Sequence, residues 1–154
     1  MVTNAGAPRN EAPGGEPLER EVLVRCSLEH AFDVFTSRID QWWPRSHRKL
    51  EGSTLTLATE VGGLFLERAP DGEQHRMGEV LACERPSFIR YSWFPGSITG
   101  PTEVEVRFTA QEGCTLVEIT HREGEGADAF EQRIALFKKS WPLVLSAYQE
   151  LASA

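Results

Sequence analysis

The chain holds 154 residues, 40% of them hydrophobic and 25% charged, with a formal charge of −7. That length fits one domain with at most a tail, and no apolar run approaches the roughly 18 residues of a membrane span. An acidic chain binds nucleic acid only through a concentrated basic patch, and the densest one, Arg45, Arg48 and Lys49, is short, so nucleic acid is disfavoured as a partner.

The first segment, Met1 to Pro17, is rich in Gly, Pro, Ala, Asn and Glu and has no apolar stretch. It reads as a disordered leader and not as a signal peptide, leaving one domain over 18–154. Cys26, Cys83 and Cys114 are odd in number, widely spaced and set in apolar surroundings. They are predicted to be small core residues of a cytoplasmic protein, not a disulfide framework or a metal site.

From Leu18 the sequence alternates, with Val22, Val24 and Cys26 on one side of a strand. Ser27 then has the character of an N-cap, and Glu29 suits the positive end of the helix dipole. Ala31, Phe32, Phe35 and Ile39 follow at helical spacing, and Pro44 closes the helical region after Trp42 and Trp43.

From His47 to about Arg122, turn material recurs at Glu51-Gly52, Gly62-Gly63, Pro70-Asp71-Gly72, Arg85-Pro86, Pro95-Gly96, Gly100-Pro101 and Glu112-Gly113. Strand-length segments lie between these turns. Val104, Val106 and Phe108 oppose Glu103, Glu105 and Arg107, and Ile89, Tyr91 and Trp93 oppose Arg90 and Ser92. Such one-sided strands belong to an antiparallel sheet with one wet face. Gly62-Gly63 predicts a bulge or sharp bend that lets the sheet curl.

The last segment is the strongest helix. Phe130, Ile134, Phe137, Trp141, Val144, Tyr148 and Leu151 form one apolar stripe at steps of four and three, interrupted by a kinking Pro142. The order of elements is α+β. A helix with such a stripe must lie on the apolar face of the sheet, and a wide curl would leave a pocket between them.

Several local motifs resemble the activator of heat-shock-protein-90 ATPase, C-terminal-domain-like family. They are Asp40-Gln41-Trp42-Trp43-Pro44, Val61-Gly62-Gly63-Leu64-Phe65, Gly78-Glu79-Val80-Leu81 leading to Arg85-Pro86, Ile89-Arg90-Tyr91-Ser92-Trp93, Thr120-His121 and Ser140-Trp141. Their order and spacing carry the likeness from about Leu18 to Leu151. The resemblance implies a helix-grip fold of the START-like (SRPBCC) kind: a curved antiparallel sheet wrapped around a long C-terminal helix, with two short helices after the first strand and a cavity inside. The wider superfamily includes lipid carriers, hormone-binding proteins, polyketide cyclases and aromatases, and the family's eponymous members are co-chaperones. Family membership implies the fold, and the function has to come from the site.

Trp43, Trp93, Phe137 and Trp141 are candidates to line the cavity, either as ligand contacts or as ordinary core. His121, carried inward at the end of a strand by the period of two, and Tyr91 are the candidate polar contacts and the weak candidates for an acid–base pair. His30, His47 and His75 read as surface or loop residues. No metal motif, phosphate loop or nucleophile elbow is present, so no cofactor is expected. Three readings follow: a cavity for a small apolar or aromatic molecule, which leads; a cyclase- or dehydratase-type enzyme using that cavity; and a module that contacts a chaperone. The oligomeric state stays open.

Overall fold

The computed structural model describes residues 17–94, 102–124 and 130–154. The expected leader lies almost wholly outside them, as do the turns at Pro95-Gly96 and Gly100-Pro101. The chain runs β1 (Leu18–Val24), α1 (Leu28–Thr36), α2 (Ile39–Trp42), a 3-10 turn (Arg45–His47), β2 (Thr54–Leu57), β3 (Leu64–Arg68), β4 (Gln74–Glu84), β5 (Phe88–Trp93), β6 (Thr102–Gln111), β7 (Cys114–Glu123) and α3 (Phe130–Ala152). The seven strands among the described residues pair antiparallel in the order β1-β7-β6-β5-β4-β3-β2. The result is a curled half-barrel gripping α3, which is the α+β helix-grip architecture.

Local chemistry sets the elements. The Ser27 hydroxyl accepts from the His30 N–H at 3.2 Å and caps α1. Trp43 turns extended after α2 (φ −63°, ψ 123°), as a residue ahead of proline is biased to do. In β6, Val104, Val106 and Phe108 are buried, while Arg107 on the outer face pairs with Glu105 at 3.1 Å. Between them α1, α2 and α3 trap an aromatic cluster in which Phe35 meets Trp42, Phe108 and Tyr148 at 5.2 to 5.9 Å between ring centres.

The sheet bends close to the expected place, but by a different residue. Gly62 (φ +90°) and Gly63 form the turn between β2 and β3, bonding both ways to the Val80 backbone at 2.9 and 2.8 Å. The register slips between Phe65 and Leu66, opposite Gly78, and again between Val80 and Ala82. A Cβ on Gly78 would fall onto the Ser92 carbonyl oxygen, so β4 crosses β5 there at a distance that only glycine allows.

In α3 the predicted stripe faces inward: Trp141, Val144 and Tyr148 are buried and Ile134, Phe137 and Leu151 half-buried, while the Phe130 side chain lies outside the described residues. The helix runs through Pro142, whose exposed ring leaves the Lys138 carbonyl without its usual N–H partner. Its second half is held by three polar contacts. Tyr148 donates to the Ala31 carbonyl at 2.7 Å, Gln149 to the Leu23 carbonyl at 2.8 Å, and the Arg25 N–H to Ser153 Oγ at 2.9 Å.

Candidate functional site

Under the first half of α3 lies a half-enclosed cavity of about 210 Å³. One wall is α3 itself, with Phe137, Ser140, Trp141 and Val144, and the exposed Leu136 marks the rim. The opposite wall is Trp43 and His47 from the segment after α2, Trp93 from the end of β5, and His121 from β7. A larger hollow of about 910 Å³ exists at the other end of the molecule, among Leu23, Arg25, Glu112, Cys114, Gln149 and Glu150. It is a shallow groove edged by charges and gives an apolar molecule little to bury against, so the smaller cavity is the better site.

Five of the six predicted contacts (Trp43, Trp93, His121, Phe137 and Trp141) border this cavity together. Tyr91 does not. Its ring packs edge-on against Phe65 at 5.4 Å, and its buried hydroxyl has no hydrogen-bond partner among the described residues. Burial pushes the phenol far above its ordinary value, so it stays protonated. In register, Tyr91 stands opposite Val104 and Val104 opposite His121. Two strand spacings, about 10 Å, therefore separate the two residues considered as an acid–base pair. The arrangement does not assemble that pair.

His121 is committed elsewhere. The Trp141 indole N–H, which can only donate, reaches His121 Nδ1 at 3.1 Å, so Nδ1 is the acceptor and the ring proton sits on Nε2. Nε2–H then donates to Thr102 Oγ1 at 2.7 Å, and that hydroxyl donates to the Trp93 carbonyl at 3.2 Å. The His121 ring also stacks on Phe137 with centres 4.2 Å apart. A histidine so engaged orients the walls of the cavity.

The other wall is braced by carboxylates. Asp40 accepts from Arg48 at 2.7 Å and from the Leu55 N–H at 2.9 Å, and Arg48 also binds the Trp43 carbonyl at 2.8 Å. Glu67, fully buried, accepts from the N–H groups of Lys49 and Leu50 and from the Ser53 hydroxyl at 3.1, 2.7 and 2.7 Å. Burial alone would raise both carboxyls, but these donors outweigh it and hold both below their ordinary values. Two of the three members of the short basic cluster are spent here, since Arg45 and Arg48 both bind the Ser53 carbonyl.

His47, Leu136, Ser140 and Val144 also border the cavity without having been among the predicted contacts. His47, read as a surface or loop residue, sits in the 3-10 turn and borders the cavity, because the Arg48 bonds fold that turn back over Trp43. Ser140 was open to detection: it lies three residues after Phe137 and four before Val144, on the edge of the apolar stripe. Among the described residues, no cluster of three or more His, Cys, Asp or Glu could hold a metal, and no helix is long and apolar enough to cross a membrane.

No curated protein matches the chain. Among solved structures, the protein MLL2253 from Mesorhizobium loti is 18% identical with a TM-score of 0.65, covering 88% of this chain and 95% of its own. CalU16 from Micromonospora echinospora is 19% identical with a TM-score of 0.64, over 94% and 82%. Txn09, an anthrahydroquino-γ-pyrone synthase solved in a complex, is 27% identical with a TM-score of 0.59, over 90% and 99%. The model of one family matches residues 25–152, from the end of β1 to the end of α3. A match over most of the chain, on a helix-grip fold with that order of elements, makes this protein a member of the Activator of Hsp90 ATPase homolog 1-like family.

Proposed function

We propose that the protein binds a small aromatic or otherwise apolar molecule between α3 and the sheet. The observation that carries this reading is the cavity of about 210 Å³ walled by the rings of Trp43, Trp93, Phe137 and Trp141. An apolar cavity of about 150 Å³ is enough to bind benzene, so one or two fused rings match this volume. Such an occupant is smaller than a lipid-like ligand of about 20 heavy atoms. The likeness to Txn09, at 27% identity, is consistent with an aromatic occupant. The three cysteines are unpaired, which suits a reducing compartment such as the cytoplasm.

The test is a thermal-shift and tryptophan-fluorescence screen of one- and two-ring aromatics, with short-chain lipids in parallel. A ligand at ten times its Kd stabilises by about 1.4 kcal/mol, which raises the Tm of a chain this size by about 3–5 °C. The indoles in the cavity wall should change emission with the same concentration dependence. No Tm shift and no spectral change up to millimolar concentrations would refute the reading.

A further inference from the structure

The inference rests on the reading of the cavity as a small-molecule site and concerns which molecules it takes. The polar atoms around the cavity fall into two groups. His121, the Trp141 indole and the Trp43 indole are engaged, the last with the His47 carbonyl at 3.4 Å. Three others have no hydrogen-bond partner among the described residues: the Trp93 indole N–H, the Ser140 hydroxyl and His47 Nε2, whose ring is tied only through Nδ1 to Ser46 at 3.0 Å. All three belong to half-buried side chains bordering the same cavity.

An occupant without polar atoms would strip water from these groups and return nothing. An oxygen substituent on the ring would satisfy them. The indole donates to it, the imidazole nitrogen and the hydroxyl donate or accept, and the hydrogen of a phenol finds an acceptor in either of the last two. Such groups left dry are what makes a site reject the unsubstituted analogue. We propose that the cavity selects oxygenated aromatics, one or two rings carrying a hydroxyl or carbonyl, with His47, Ser140 and Trp93 holding the oxygen. The ring body lies among Trp43, Phe137 and Trp141.

The experiment compares naphthalene with 1- and 2-naphthol by calorimetry on the full chain and on the Ser140→Ala/His47→Ala double variant. The substitutions cost little of the fold: the Ser140 hydroxyl makes no bond among the described residues, the His47 ring gives up only its exposed contact with Ser46, and the His47 carbonyl that receives Trp43 remains. The Tm of the double variant is to be checked against the wild type. A purely apolar cavity would prefer naphthalene, which leaves water more readily. The expected result is at least one naphthol binding the wild type tenfold or more tighter than naphthalene. That preference falls below threefold in the double variant, because the naphthols lose more affinity than naphthalene does. Equal binding of hydrocarbon and naphthols by the wild type would overturn the inference and leave the apolar reading standing. A preference undiminished in the double variant would overturn the assignment to His47 and Ser140. If none of the three binds the wild type, the cavity reading itself fails.

Discussion

Single side chains here divide into those whose polar atoms are matched and those left over. Tyr91 is the clearest of the second kind: a fully buried ring whose hydroxyl meets no partner among the described residues. Removing such a hydroxyl relieves a desolvation cost, so Tyr91→Phe is expected to stabilise the protein by about 1 kcal/mol in urea unfolding. A loss of that size instead would show that the hydroxyl is bonded. The period of two reads Tyr91 and Trp93 onto one inner face correctly, but a period gives the face and not the depth. Phe65 covers Tyr91, while Trp93 opens on the cavity. His47 eluded the sequence for a related reason: a 3-10 turn of three residues has no periodicity to reveal which side chain points inward.

Whole elements were more legible than their junctions. The strands and α3 follow directly from alternation and the aromatic stripe, because burial on one face imposes those periods. The bend of the sheet was harder to locate. Two adjacent glycines advertise backbone freedom at Gly62-Gly63, yet the requirement for glycine at Gly78 comes from Ser92, a residue on the next strand. Contacts across strands are absent from local pattern. Gly78→Ala is therefore expected to destabilise by about 3 kcal/mol or more, since strand backbone and not a flexible side chain must give way. A chemical-denaturation midpoint unchanged from wild type would refute that close crossing. Gly72→Ala, with open space around its Cβ, is the milder comparison, bearing only the strain of its positive φ.

For the molecule as a whole, the acidic character acts inside the structure as well as outside it. Asp40 and Glu67 tie the segment between α2 and β2 to the sheet, and that segment carries Trp43 and His47. Both carboxyls are held below their ordinary values of 3.8 and 4.5, so folding favours their charged forms. The stabilisation is fully present above about pH 4.5 and is lost as the pH falls through the lowered folded values. Urea midpoints measured from pH 7 to pH 3 should be level down to about pH 5 and then drop, and Glu67→Gln should be less stable at pH 7 with a shallower acid limb. A wild-type profile as shallow as that of the variant would contradict this role.

The chain of hydrogen bonds from Trp141 through His121 and Thr102 to the Trp93 carbonyl runs in one direction throughout. Each inner member must therefore accept on one side and donate on the other. Among side chains of similar reach, only neutral imidazole and the amides of Asn and Gln offer that pair of faces at position 121, and only a hydroxyl does so at position 102. The substitution pattern of this pocket should thus obey a grammar of polarity: His121 exchanges with amides, Thr102 with serine, and a lysine or arginine at 121, donating on both sides, breaks the sentence at its first word.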